Sequence, residues 1–361
     1  MVIDVDRKTT LLKELHDLVD RPIRLMVVCG TQNRAILRYG MRKQLPDYLD
    51  LVAGPGCSVC VMPAGHIDAF VKVAVQRDVI IAACDDLIRV SGSTESLESV
   101  MQKGANVEMI ISPMDALDIA RRQPGKIVVY PAVGFEATAP GVAETILEAA
   151  RLGIENFCVI PSIRLLPPTI DLLMHDPDLN IRGLLCSDHI NTISDARAYT
   201  VLAKKHNISC YIGGFEPEDI LEGLIYLVRQ IRTGESIFDD TSAFVYSSDE
   251  KKDARKMVSE VFFPVNTLWR GLGNIEQSGF VIRDELSLYD ATKRFNIRFS
   301  EGQEQSLCQC SDIISGRGLP PDCPAFGMVC TPQNPIGPCM ISDEGICSSY
   351  FKYNLESLFD A

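Results

Sequence analysis

Between about residues 20 and 232 the chain repeats one pattern: a short aliphatic run, a turn of small or polar residues, then a segment with helical spacing. That alternation is the rhythm of parallel α/β architecture, because parallel strands need a crossover long enough to hold a helix. Strands are predicted at 24–28, 49–53, 79–83, 107–111, 126–130, 156–160, 183–186 and 209–212, each a β-branched or aliphatic run bounded by turn residues. Helices are predicted at 34–43, 64–76, 94–103, 113–122, 140–151, 194–206 and 217–232. Ser112-Pro113 and Glu216-Pro217 mark two of their starts, since proline has no N–H to leave unsatisfied in a first turn.

The triplet Gly-Phe-Glu occurs at Gly134 and again at Gly214, each time between an aliphatic run and a helix, which suggests two similar α/β units. The resulting division is a first α/β domain over 1–122, which includes an amphipathic N-terminal helix, a second over 123–240, and a smaller Cys-rich domain over 241–361. In the last of these, helix-like 250–262 leads to strands or turns at 269–282 and then to a tail rich in Pro, Gly and Cys.

Charge narrows the partners. With 35 basic and 48 acidic side chains the net charge is −13, which disfavours nucleic acid and anionic membrane. No run approaches the roughly 18 apolar residues of a membrane span, and the start lacks the apolar core of a signal peptide. A cytoplasmic location follows as an expectation, and there thirteen cysteines point to metal or redox chemistry rather than a disulfide frame.

Six of those thiols crowd into the last fifty-four residues, at Cys308, Cys310, Cys323, Cys330, Cys339 and Cys347. Thiolate is the soft ligand that iron clusters and zinc take, and Pro- and Gly-rich loops let several thiols converge. Two further thiol motifs end strands. Cys29-Gly30-Thr31 precedes a helix, where free N–H groups can lower a thiol pKa, although a buried inert cysteine fits the same pattern. Gly54-Pro55-Gly56-Cys57-Ser58-Val59-Cys60 sets two thiols three positions apart, able to form a disulfide, exchange or chelate, or simply to pack under the next helix. Glu136 and Thr138 follow the first Gly-Phe-Glu turn and either cap the next helix or move protons and orient a bound group. His66 reads as a hydrogen-bonding residue of a helix start, His175 and His206 as surface or capping positions, and His189 as a strand-end residue. Cys84, Cys158 and Cys210 read as core.

Taken together, CGT at Cys29, GPGCxxC ending at Cys60, GFExTAP from Gly134 and CPxFGxxCTPxNPxGPCMxSxEGxC from Cys323 resemble the HypD family of hydrogenase maturation scaffolds, in that order and over nearly the whole chain. The resemblance implies two α/β units of similar topology and a C-terminal part carrying a [4Fe-4S] cluster. It further implies assembly of the Fe(CN)2CO unit of [NiFe]-hydrogenases together with a small HypC-like chaperone and a HypE-like cyanide donor. Cys29, Cys57 and Cys60 would hold or process the iron intermediate, with Thr31, Glu136 and Thr138 as further catalytic candidates. Four tail cysteines would ligate the cluster, with Cys323, Cys330, Cys339 and Cys347 the favoured set and Cys308 and Cys310 an extra redox pair; a mixed set is the alternative. The chain departs from the family pattern at Gln32 and Asn33, where His and Thr are usual, at Ser58 for Pro, and at Ala137 for Thr. A thiol-disulfide reductase with an iron-sulfur cluster, or a HypD-like member with altered activity, are the competing expectations.

Overall fold

A computed structural model describes residues 5–187, 196–234, 238–240 and 248–354. His189 lies outside them. The chain packs as two compact units, each assembled from separate segments: Met1–Cys60, Ile170–Ser247 and Leu307–Ala361 form the first, Val61–Thr169 and Ser248–Ser306 the second.

The first unit is built on a parallel five-stranded sheet in the order β2-β1-β7-β8-β9, where β1 is Ile23–Val27, β2 Leu49–Ala53, β7 Gly183–Ser187, β8 Ser209–Gly213 and β9 Phe238–Asp240. Helices α1 (Val5–Leu18), α2 (Gly30–Arg38), α9 (Ala196–His206) and α10 (Pro217–Thr233) belong to it, as do the short tail helices α13 (Cys310–Ile314), α14 (Pro338–Ile341) and α15 (Ile346–Tyr353). Every residue of β7 and β8 is buried, which is why these strands read as unbroken apolar runs rather than alternating ones. Leu15, Leu25, Val27, Ile36, Leu51, Leu185, Leu224 and Val228 form the heart of one core cluster beneath α1 and α10.

The second unit has its own parallel sheet, in the order β4-β3-β5-β6, from β3 (Val79–Ala83), β4 (Val107–Met109), β5 (Ile127–Gly134) and β6 (Phe157–Ile163). It carries α3 (Ala64–Ala74), α4 (Asp85–Arg89), α5 (Leu97–Gln102), α6 (Pro113–Arg122), α7 (Ala139–Leu152), α11 (Ser248–Val261) and α12 (Ala291–Arg294). An antiparallel hairpin of β10 (Phe262–Trp269) and β11 (Gly273–Ile282) completes it. The chain returns to the first unit within α8 (Leu166–Met174). At α6 the Ser112 side chain accepts from the Met114 N–H and Asp115 reaches back to the Ser112 N–H, a reciprocal cap with proline at the first turn.

The α/β class with two parallel sheets is as expected, but the contiguous division at 122 and 240 is not how the strands pair. β3 and β4 join β5 and β6, while β7, β8 and β9 return to β1. Parallel pairing tolerates long crossovers, so a strand's partner follows from complementary register and burial, not from nearness in the chain. The expected third domain is likewise divided, its hairpin grouping with the second unit and its Cys-rich tail with the first. Cys158 and Cys210 are buried as expected, whereas Cys84 is exposed, because it stands one residue past β3 as the N-cap of α4. No helix among the described residues is long and apolar enough to cross a membrane.

Candidate functional site: thiol turns at the carboxyl end of the first sheet

In an open parallel sheet the crevice for a ligand lies beyond the carboxyl ends of the strands, where the strand order reverses. In the first unit that place is between β1 and β7. Cys29 leaves β1 there as the N-cap of α2, and Ser187 ends β7. Burial pushes the Cys29 thiol up, and this outweighs hydrogen bonding from the Ser187 hydroxyl and the Gln32 backbone N–H; the Glu344 carboxylate adds to the rise, and the Thr31 backbone N–H opposes it. Cys29 is half-buried, and the free N–H groups of the helix start do not bring its thiol below the ordinary value, because desolvation of a thiolate outweighs what they return.

The next turn interlocks with this one. The Gly30 N–H donates to the Gly56 carbonyl at 3.2 Å, and the Gly54 N–H to the Val27 carbonyl at 2.9 Å. A Cβ on Gly56 would lie 1.9 Å from the Val28 carbonyl oxygen, so only glycine lets the two turns approach. One residue later Cys57 begins the disulfide with Cys60, Cα to Cα 5.2 Å, with the Cys60 N–H donating to the Cys57 carbonyl at 3.1 Å. Both half-cystines are buried.

The Cys-rich tail seats on the same turn. Thr31 Oγ1 donates to Glu344 Oε1 at 3.3 Å and Arg34 pairs with Asp343 at 3.5 Å. A Cβ on Gly30 would stand 2.6 Å from the Glu344 carbonyl oxygen, and one on Gly345 would stand 2.1 Å from that of Cys339. Glu344 and Gly345 thus connect the Cys29 turn to the tail thiols, and α15 packs on α2 immediately beyond them.

Those thiols converge unequally. Cys310 and Cys339 sulfurs are 2.7 Å apart, Cys339 and Cys347 share a hydrogen bond, and Cys308 and Cys330 lie close enough to act electrostatically on Cys347. Cys339 is raised well above its ordinary value; its contact with Cys310 opposes the rise, which comes from Cys347 and burial. Cys347 is also raised, the Cys339 bond opposing and burial driving it. Cys323 instead faces the Leu307 carbonyl at 3.7 Å. The Ile336 N–H donates to Cys330 Sγ at 3.4 Å, and a Cβ on Gly337 would fall 2.3 Å from Cys308 Sγ. Cys339 and Cys347, buried and resisting ionisation alone, fit a cationic cluster, whose charge is what makes buried thiolates favourable.

The family model HypD, described as the hydrogenase formation hypA family, matches residues 6–354. The chain belongs to the HypD family. It is 36% identical over 336 residues to the hydrogenase maturation factor HypD of Cupriavidus necator, covering 91% of this chain and 89% of that protein. It is 34% identical to the factor of the same name from Escherichia coli, over 92% of this chain and 90% of that one. A putative hydrogenase expression/formation protein of Methanocaldococcus jannaschii is 32% identical over 95% of both chains.

At the two positions after Cys-Gly-Thr this chain uses amides as staples. Gln32 is fully buried, and its Nε2 donates to the carbonyls of Cys186, Gly213 and Gly214 at 3.0 to 3.1 Å, tying the α2 start to the ends of β7 and β8. Asn33 Nδ2 donates to Val27 and Cys29 carbonyls at 3.0 and 3.2 Å. In the second unit, Glu136 is buried and accepts the Leu166 N–H at 2.7 Å, while a Cβ on Gly134 would lie 2.1 Å from Thr138 Oγ1. Gly134 ends β5 and is followed by a 3-10 turn at Glu136–Thr138 before α7, whereas Gly214 lies one residue past β8 and Glu216 is the N-cap of α10, so the repeated triplet makes a different turn in each sheet. Sequence reading missed Ser187 and Glu344. Ser187 is signalled only as the polar end of an aliphatic run, and Glu344 only by its place three residues before Cys347.

Proposed function

We propose that this chain is the scaffold on which the Fe(CN)2CO unit of a [NiFe]-hydrogenase is assembled. The observation that carries the reading is the seating of the tail thiols, through Glu344 and Gly345, on the turn that holds Cys29 beside the Cys57–Cys60 disulfide, all within one compact unit. The cargo iron takes donors from Cys29, Cys57 and Cys60; Thr31 anchors the turn, and Ser187 with the Gln32 backbone N–H supports the Cys29 thiolate once iron displaces its proton. Reduction of the disulfide takes two electrons and two protons, which an external low-potential donor must supply, and exposes two thiols for the cargo. A [4Fe-4S] cluster, when bound in the tail, would supply one-electron transfer. Cys339 and Cys347 hold it, with either Cys308 and Cys310, which the mutual contacts favour, or Cys323 and Cys330. In the second unit, Glu136 and Thr138 shape the Gly-Phe-Glu turn, and Glu136 is the group there able to carry a proton.

The partners proposed are a small HypC-like chaperone and a HypE-like cyanide donor, in the cytoplasm, where a disulfide is normally transient and catalytic. The disulfide also supports a second reading, an iron-sulfur thiol-disulfide reductase. Anaerobic purification with iron and sulfide counts, plus infrared spectra in the cyanide and carbonyl region with and without the HypC-like partner, separates the two. The scaffold predicts about four irons and four sulfides, and partner-dependent bands that vanish in Cys57→Ala. The same cluster without such bands under any condition rejects the scaffold in favour of the reductase.

A further inference from the structure

Arg164, the residue after β6, is only 2% exposed and continues the strand ladder through its N–H to the Gly134 carbonyl at 2.9 Å. Its Nη2 meets His66 Nε2 at 3.2 Å, in the first turn of α3. Among the described residues no carboxylate pairs with it, and burial lowers its pKa to about 9. The neighbouring cation, Arg270, has Glu304, which also receives the Ala64 N–H. Arg164 has no such counterpart among the described residues. A buried guanidinium without an anion costs several kcal/mol, and the positive end of α3 adds to the cost.

Hydrogen bonding narrows what is missing. Guanidinium cannot accept, so Arg164 donates to His66 Nε2, which leaves the imidazole proton on Nδ1. Burial, with the charges of Arg164 and Arg270, holds His66 well below its usual pKa, so the ring is neutral and keeps that tautomer. His66 stacks on Phe299 with centroids 3.9 Å apart, fixing its plane. His66 Nδ1, Arg164 Nε and Ser162 Oγ are all buried without a hydrogen-bond partner. Ser162 stands two residues before Arg164, on the same side of the strand, and pairs in register with Val133 at the carboxyl end of β5. Arg164 Nε and Ser162 Oγ, two groups able to donate, and one uncompensated positive charge thus stand at the end of a parallel sheet, the usual ligand position in such folds, while His66 Nε2 holds the guanidinium from its other side.

We propose that Arg164 and Ser162, with His66 bracing the guanidinium, form a binding site for a small monovalent anion in the second unit. One negative charge balances the one bare guanidinium, and the burial of all three residues, at 1 to 2% exposure, limits the ligand to a few atoms. A water molecule would answer the donors but not the charge. The site contains no thiol, so it stands or falls apart from the scaffold reading.

The test uses the full chain with thiocyanate as probe, following its C–N stretch by infrared spectroscopy at matched ionic strength. A saturable one-to-one bound band is expected in the unmodified protein. It should be absent in Arg164→Met and require about tenfold more thiocyanate in Ser162→Ala, the loss of one good hydrogen bond. Arg164→Met should also unfold, without added anion, at a temperature no lower than the parent, because an apolar side chain replaces an unpaired charge. The site is refuted if the parent shows no saturable band, if the band survives unchanged in both variants, or if a crystal grown with thiocyanate holds only water beside Arg164.

Discussion

Gln32 shows how one side chain can hold strand ends in place. A single amide nitrogen meets three carbonyls, from Cys186, Gly213 and Gly214, at a point where α2, β7 and β8 meet. A neutral imidazole has one N–H, so Gln32→His leaves carbonyls short of a donor. It is expected to cost about 1–3 kcal/mol in urea unfolding. Gly56 is the more severe constraint. Adding a methyl group 1.9 Å from the Val28 carbonyl oxygen forces backbone apart, so Gly56→Ala should destabilise by about 3 kcal/mol and separate the Cys29 and Cys57 turns. Slower trapping of Cys29 by thiol reagents than in the parent would contradict that separation. Both residues were visible in sequence, Gly56 as part of a thiol motif and Gln32 as a departure. Their partners were not, because those lie up to 182 positions away.

At the scale of elements, α8 and α9 are joined at their carboxyl ends by Asp171, which accepts from Lys205 at 2.7 and 2.8 Å and lies 2.7 Å from His206 Nε2. His175, expected at the surface, bonds the Asp171 carbonyl at 2.7 Å and meets the His206 ring edge-on. Burial pushes the Asp171 carboxyl up, but the hydrogen bonds from Lys205 and His206 win and hold it below its ordinary value. A depressed folded pKa stabilises above the unfolded value of about 4, and that contribution is lost as pH falls through the folded value. Asp171→Asn should therefore lower stability by about 1 kcal/mol near neutral pH, with the difference shrinking in parallel melts as pH falls below about 4. Ser112→Ala should cost α6 a similar amount, about 1 kcal/mol, since its hydroxyl cap is lost. The eight expected strands all form, and α6 has the expected bounds, because aliphatic runs and proline starts are local signals. α8 was not anticipated: its start, Leu166-Pro167-Pro168, follows β6 directly, without the polar turn that marks the other crossovers.

At the scale of the whole molecule, each unit closes only when distant segments return to it. The tail supplies α15 against α2, and Arg42 lies 5.4 Å over the ring of buried Tyr350. A chain ending at Ser306 should thus lose hydrogen-exchange protection in β1, β2 and α2 while β3, β5 and β6 keep theirs. Uniform loss across both sheets would contradict the division. The sequence by itself determined the class, two parallel sheets with crossover helices, and the family, because aliphatic runs, turn residues and thiol motifs are written locally. Only the tertiary structure decided which strands share a sheet, that the Cys29 thiol is raised rather than lowered, that Cys310 rather than Cys323 touches Cys339, and that Arg164 is buried without an anion. Each of those depends on burial and on neighbours far along the chain, and desolvation has no signature in a run of residues until the fold has chosen what surrounds them.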